Sequence, residues 1–255
     1  MIKSNIENLF STIKTLAVSG LMVFGVAACG GGGGGDDDSS TTTESANGIW
    51  RGTVTNTTTG YTSNAYIGLL FDGEAYFYDP NSGEMDVGTY SITGDQFSGN
   101  FTAYQDGVAG PITTGTVSAT VRTETSISGS FSNSLGHSGS ISLAYDNLYD
   151  RGVTLADSND IWMYTNGFYT LTLSIGADGV ITGSDTDGCN YAGNLSLADP
   201  GKNLYSTQLS VTNCGAENGT YTGFGVLGDT VTTNDTFTFA VQSASYIIYI
   251  SFDRQ

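Results

Sequence analysis

Only a few residues in this chain have the type and spacing to do chemistry. Cys189 and Cys214 flank the segment "NYAGNLSLADPGKNLYSTQLSVTN". The turn "DPGKN" (Asp199–Asn203) lies at its middle, with Pro and Gly in turn-favouring places. A symmetric hairpin about that turn sets the two cysteines opposite each other on adjacent strands. They are therefore expected to form a disulfide closing a loop of roughly 25 residues, for which typical stabilisation is about 2–4 kcal/mol. Metal binding is the competing use of the pair, but no histidine or third cysteine lies near in sequence, and no metal is expected. The single histidine, His137, sits in "SNSLGHSGS" among serines. No nucleophile elbow surrounds it, so it is expected to be a solvated turn histidine. Carboxylates crowd in "SDTDGC" (Ser184–Cys189) and "ADSND" (Ala156–Asp160). Calcium favours such oxygen clusters, yet the distal Glu of a complete calcium loop is missing. No catalytic residue and no cofactor are expected, and the chain is not expected to be an enzyme.

Cys29 is different. It follows "TLAVSGLMVFGVAA" (Thr15–Ala28), an apolar run of signal-peptide length that is too short for a comfortable membrane span. Val26-Ala27-Ala28-Cys29 resembles the bacterial lipobox, in which cleavage precedes the cysteine and the cysteine carries lipid. The resemblance implies a signal peptide over residues 1–28 and acylation of Cys29, palmitate included. Two or more acyl chains make a stable anchor where one is marginal. Gly30 follows the cysteine where an Asp would favour retention at the inner membrane. By resemblance to Gram-negative lipoproteins, the expected address is the outer membrane, on its surface or its periplasmic face. Gly30–Gly35, Asp36–Asp38 and Ser39–Asn47 have no periodic pattern. Residues 29–47 read as a flexible tether spanning roughly 20–25 Å.

The chain carries 25 acidic and 7 basic residues in 255, a formal charge of −18. Removal of residues 1–28 takes away Lys3, Lys14 and Glu7, a net +1, and leaves −19. Such a balance argues against nucleic acid, whose phosphates need Lys and Arg, and no nucleic-acid partner is expected. It also disfavours direct adhesion to anionic head groups, so membrane contact is expected through the N-terminal lipid alone.

From Gly48 onward, short alternating segments are separated by Gly, Asn and Asp turns such as "FDGE", "TGDQ" and "GADGV". About eight candidate strands fall in each half. They run from "IWRGTVTN" to "SGSISLAYD" in the first and from "IWMYT" to "YIIYISFDR" in the second. Short connections imply an antiparallel meander, and eight strands can close on themselves and remove their edges. The predicted fold is all-β, with two tandem eight-stranded antiparallel barrels over 48–151 and 152–255. The competing architecture is a single larger sandwich with a shared core. In "FYTLTLSIG", Tyr169, Leu171, Leu173 and Ile175 share one face. The last strand is apolar on both faces, with Ile247 and Tyr249 opposite Tyr246, Ile248, Ile250 and Phe252. That pattern calls for cover on both sides, from the first barrel or from a partner.

The halves look related. Each opens with Ile-Trp (Ile49-Trp50, Ile161-Trp162) and ends near Asp-Arg (Asp150-Arg151, Asp253-Arg254). Gly48-x-Trp50 resembles the Gly-x-Trp of lipocalins, where an Arg from the last strand crosses the Trp at the closed end of the barrel. The resemblance implies two clasps, Trp50 with Arg151 and Trp162 with Arg254. A cation over an indole contributes about 0.5–2 kcal/mol. The anchor, tether and paired barrels also resemble surface lipoproteins of Gram-negative bacteria, including the transferrin-binding type, though no receptor-contacting motif is shared. The expected function is a non-enzymatic binding or interaction module with a protein partner. The alternatives are a lipocalin- or streptavidin-like carrier of a small hydrophobic ligand and a periplasmic enzyme inhibitor. An empty apolar cavity inside a barrel would favour the carrier.

Overall fold

The computed structural model describes residues 43–255. The expected signal peptide (1–28), the expected lipidation site Cys29 and most of the expected tether lie outside them. Sixteen antiparallel strands form two closed barrels. The first contains β1 (Gly48–Asn56), β2 (Tyr61–Phe71), β3 (Glu74–Asp79), β4 (Glu84–Thr93), β5 (Gln96–Gln105), β6 (Pro111–Arg122), β7 (Ser126–Asn133) and β8 (Ser138–Asp146). The second contains β9 (Asp160–Asn166), β10 (Tyr169–Ile175), β11 (Val180–Asp185), β12 (Asn190–Leu197), β13 (Tyr205–Thr212), β14 (Gly219–Gly228), β15 (Thr236–Gln242) and β16 (Ile247–Arg254). Short 3₁₀ turns at Asn147–Asp150 and Leu155–Ser158 lie between them. The order is a plain meander in both halves because each link is too short to do more than reverse the chain. In "FDGE", Asp72 and Gly73 both take positive φ (50° and 83°). That is the primed turn whose twist matches a two-residue hairpin.

Both barrels are shut at the end where β1 and β9 begin, by a repeated device. The chain before the first strand crosses the opening, and the indole N–H of a fully buried tryptophan donates to the carbonyl four residues back. Trp50 reaches Ala46 and Trp162 reaches Ser158, both at 2.8 Å. In the first barrel the crossing segment is pinned further. Glu44 N–H donates to the Gly94 carbonyl at 2.9 Å, and the Glu44 carboxylate accepts from the backbone and hydroxyl of Thr123. In the second, the Tyr205 hydroxyl donates to the Thr154 carbonyl.

The barrels lie side by side over a third apolar cluster of outward-facing side chains. Ile49, Leu69, Tyr76, Met85 and Val87 of the first meet Phe224, Val226 and Ala240 of the second. Tyr78 stacks on Tyr249 at 3.6 Å, and Phe224 takes Tyr76 edge-on at 5.3 Å. The last strand is therefore covered on both faces, outward by the first barrel and inward by its own core. Between the closed ends, Asn203 is fully buried and holds Leu227 through both its amide oxygen and its nitrogen, while its backbone N–H donates to the Tyr149 carbonyl. Beside the open ends, Gly110 N–H donates to the Ser245 carbonyl at 2.7 Å. Both mouths thus open on the same side of the molecule, away from residue 43.

The seams differ. In the first barrel β1 and β8 pair over their whole lengths, from Ile49↔Asp146 to Asn56↔Gly139. In the second, β16 meets β9 only at Asp253↔Met163 and Arg254↔Trp162.

Candidate ligand site in the first barrel

The interiors are filled differently. In the second barrel, Trp162, Leu173, Ile181, Leu209, Phe237, Phe239 and Phe252 belong to one continuous core. Its mouth is tied by the disulfide between Cys189 and Cys214, one and two residues beyond the Asn190↔Thr212 pair. The glycines inside its strands do not make room. A Cβ on Gly193 would lie 2.1 Å from the Gln208 carbonyl oxygen, so the neighbouring strand occupies the place of the side chain. In the first barrel Trp50, Leu70, Phe97, Val121 and Ile127 fill the closed half. Above them remains a cavity of about 400 Å³ that opens between the β1–β2, β3–β4, β5–β6 and β7–β8 turns. That volume falls within the range of small-molecule sites.

The wall is mostly apolar: Val54, Phe77, Phe101, Val117, Phe131 and Ile141 line it. Tyr66 and Phe77 stack at 5.5 Å, and Phe101 meets Phe77 at 5.4 Å, giving an aromatic shelf at its base. One side is acidic. Asp79 at the end of β3 and Glu84 and Asp86 on β4 all face inward, since Glu84 pairs with Asp79 and Asp86 with Phe77. Alternation then sends Met85 and Val87 outward into the contact between the barrels.

The three carboxylates are not equivalent. Asp79 is buried and saturated: it accepts from the Tyr61 hydroxyl and the Ser63 hydroxyl, both at 2.6 Å, from the Ser82 hydroxyl at 3.0 Å and from Asn81 N–H at 3.0 Å. Its role is to hold the β3–β4 turn against β2. Asp86 accepts one bond, from the Tyr66 hydroxyl at 2.7 Å. The Glu84 carboxylate takes no hydrogen bond among the described residues. Burial, followed by the charges of Asp86 and Asp79, raises Glu84 to about 7. Burial likewise raises Asp86 to about 6, with Asp79 adding to the rise against the opposing effect of the Tyr66 hydrogen bond.

His137 lies at the rim of this cavity, half-buried in the β7–β8 turn. Its backbone N–H donates to the Asn133 side chain, and no partner of its ring is found among the described residues. The acidic turns singled out in the sequence are engaged otherwise. Asp185 accepts from the hydroxyls of Tyr169 and Tyr191 and from the backbone N–H groups of Asp187 and Cys189. Asp185 lies close to both sulfurs, but these are consumed by the disulfide. Asp157 caps the turn at Thr154, and Asp160 lies 3.5 Å from Arg254.

One expected clasp is made and one is not. The Arg254 guanidinium lies 4.6 Å from the Trp162 ring centroid and donates to the Asp157 carbonyl at 2.6 Å. Arg151 does not cross Trp50. The residue paired with Trp50 on β8 is Tyr145, whose ring meets the indole edge-on at 5.2 Å. Arg151 lies six residues further on, past the strand and a 3₁₀ turn. It instead binds both oxygens of Asp229 (2.5 and 2.7 Å) and the Leu227 carbonyl, fastening the linker to the second barrel.

Compared with known proteins, the chain matches no family model, no curated protein and no solved structure.

Proposed function

We propose that this chain is an exported, lipid-tethered binding protein that performs no catalysis, whose first barrel holds a small ligand with an apolar body and whose second is a filled support. The observation that carries the reading is the cavity of about 400 Å³ above a sealed floor in one barrel. A barrel of eight strands either fills its interior or holds one small ligand, and the two halves of this chain take one course each. The carrier reading therefore ranks above a protein-binding module or an enzyme inhibitor. The lipobox-like Val26–Cys29, the acidic surface and the disulfide support an address in the cell envelope, at the outer membrane. With the tether entering at the closed end, a lipid on Cys29 would leave the calyx mouth turned away from the bilayer.

Fluorescence titration of the purified protein with N-phenyl-1-naphthylamine tests the site. One saturable site per chain is expected, lost in Val117→Trp, which fills the cavity, and kept in a variant altered in the second barrel. Absence of saturable binding in the unaltered protein would refute the calyx. Incorporation of labelled palmitate in the host, abolished by Cys29→Ser, tests the anchor separately.

A further inference from the structure

We propose that the calyx selects ligands bearing an organic cation, an ammonium group on an apolar body, with Glu84 and Asp86 as its counter-charges. The proposal rests on the calyx reading and adds the class of ligand. Three features of the wall carry it.

The cavity is lined by three acids, and its one basic lining residue, His137, stands at the rim. Asp79, Glu84 and Asp86 line it, and neither Lys nor Arg does. Buried charges are expected to be paired, and an unmatched one costs far more than a neutral polar group. The pairing that Asp79 obtains from four donors is missing for the other two. Glu84 has no hydrogen-bond donor among the described residues and Asp86 has one, so both keep acceptor positions directed at the space a ligand would fill. A purely hydrocarbon ligand would bury those oxygens against carbon. An anionic one would meet like charge. An ammonium donates to both and stands beside the stacked Tyr66–Phe77 pair, whose π faces also attract cations.

A metal ion answers the same charges less well. The oxygens of Asp79, Glu84 and Asp86 do not converge within 4.8 Å of one another among the described residues. Hard cations need several oxygens in one shell. An elongated organic cation, with its charge at the acidic wall and its body over Phe101, Val117 and Phe131, fits the separation of acidic and apolar surfaces. The net charge of −18 adds long-range attraction for cations.

The titratable groups that line the cavity with the two acids are Tyr61 and Tyr66 from β2, Asp79 from β3 and His137 from the β7–β8 turn. None except His137 gains positive charge on acidification, and it sits at the rim. Protonation of Glu84 and Asp86 should therefore discharge the wall and release a bound cation.

Calorimetric titration with decylamine, decanol and decanoate, three ligands of one chain length, tests the inference. Near pH 8, decylamine is expected to bind at least about tenfold tighter than decanol, a difference of ~1.4 kcal/mol, with decanoate weakest. E84Q/D86N should weaken decylamine and bring it to within about threefold of decanol. Decyltrimethylammonium, charged at every pH, should lose affinity between about pH 8 and pH 5. Equal affinity for decylamine and decanol in the unaltered protein, or preference for decanoate, overturns the cation selectivity and leaves the calyx standing. Binding of none of the three removes the calyx reading and this inference with it. Calcium chloride that binds and displaces decylamine shows a metal site instead.

Discussion

At the scale of single residues, the carboxylates of the first barrel behave oppositely. Asp79 is held by four donors, so Asp79→Ala should leave the buried Ser63 hydroxyl, with the more exposed Tyr61 and Ser82 hydroxyls and Asn81 N–H, without their acceptor, at a cost of about 1–3 kcal/mol. In a protein of this size that lowers the melting temperature by roughly 2–4 °C per kcal/mol. Glu84 and Asp86 are raised to about 7 and about 6. The folded state therefore binds more protons than the unfolded one between the ordinary carboxylate range and neutrality. Stability of the unliganded protein should fall as pH rises through that window and level off above it. Glu84→Gln should flatten the fall and raise the melting temperature near pH 8, which thermal scans across pH will show. An unliganded protein that gains stability from pH 5 to pH 8 would contradict the placement of these acids. Arg254→Ala removes a cation over Trp162 and should cost about 0.5–2 kcal/mol. Unchanged melting would mean that the clasp contributes nothing. Arg151→Ala should leave the closed end of the first barrel intact, since Tyr145 occupies the place beside Trp50.

At the scale of elements, the strands and their order were legible from alternation and turn residues. The segments "EAYFYD", "SISGSFSN" and "SGSISLAYD" match β3, β7 and β8 end to end. Alternation reads β2 from "NAYIGLLFD" and β6 from "TGTVSATVR", whereas both strands start three residues earlier, at Tyr61 and Pro111. There, Tyr61, Ile112 and Thr113 line the calyx rim, where the alternation of apolar and polar residues is lost. The cysteine pair was legible because a hairpin about "DPGKN" brings its ends together. Titration of the oxidised second barrel should find no free thiol, and reduction should cost about 2–4 kcal/mol. The short β9–β16 seam predicts a local weakness. Amides of β9 beyond Met163 should exchange faster than those of β1, where the ladder is complete.

At the scale of the whole molecule, the two barrels share a buried face rich in aromatics, with Phe224 between Tyr76 and Phe71. Such a contact couples their unfolding, and calorimetry should show one transition. Phe224→Asp places a charge in that face and should split it into two. Two transitions in the unaltered protein would show that the barrels fold independently. The same contact explains why β4 misleads a reader of the sequence. By alternation, Met85 and Val87 mark the core face and Glu84 and Asp86 the solvent face. The structure reverses this, because the outer surface of β4 is covered by the second barrel and its inner surface lines a cavity.

The sequence by itself determined the sixteen strands, their meander, the closing tryptophans and the cysteine pair. The strands, the meander and the cysteine pair follow from a period of two, from turn chemistry and from short loops, which are local; the closing tryptophans were implied by the resemblance of Gly48-x-Trp50 to the lipocalin pattern. Only the tertiary structure decided which residue stands beside Trp50, since register across the seam joins positions nearly a hundred residues apart. It alone decided that one interior is filled and the other is not, because a cavity is what remains after side chains from eight strands have met. The acids of the calyx became visible for the same reason: which face of a strand is inside depends on what the rest of the chain lays against the other.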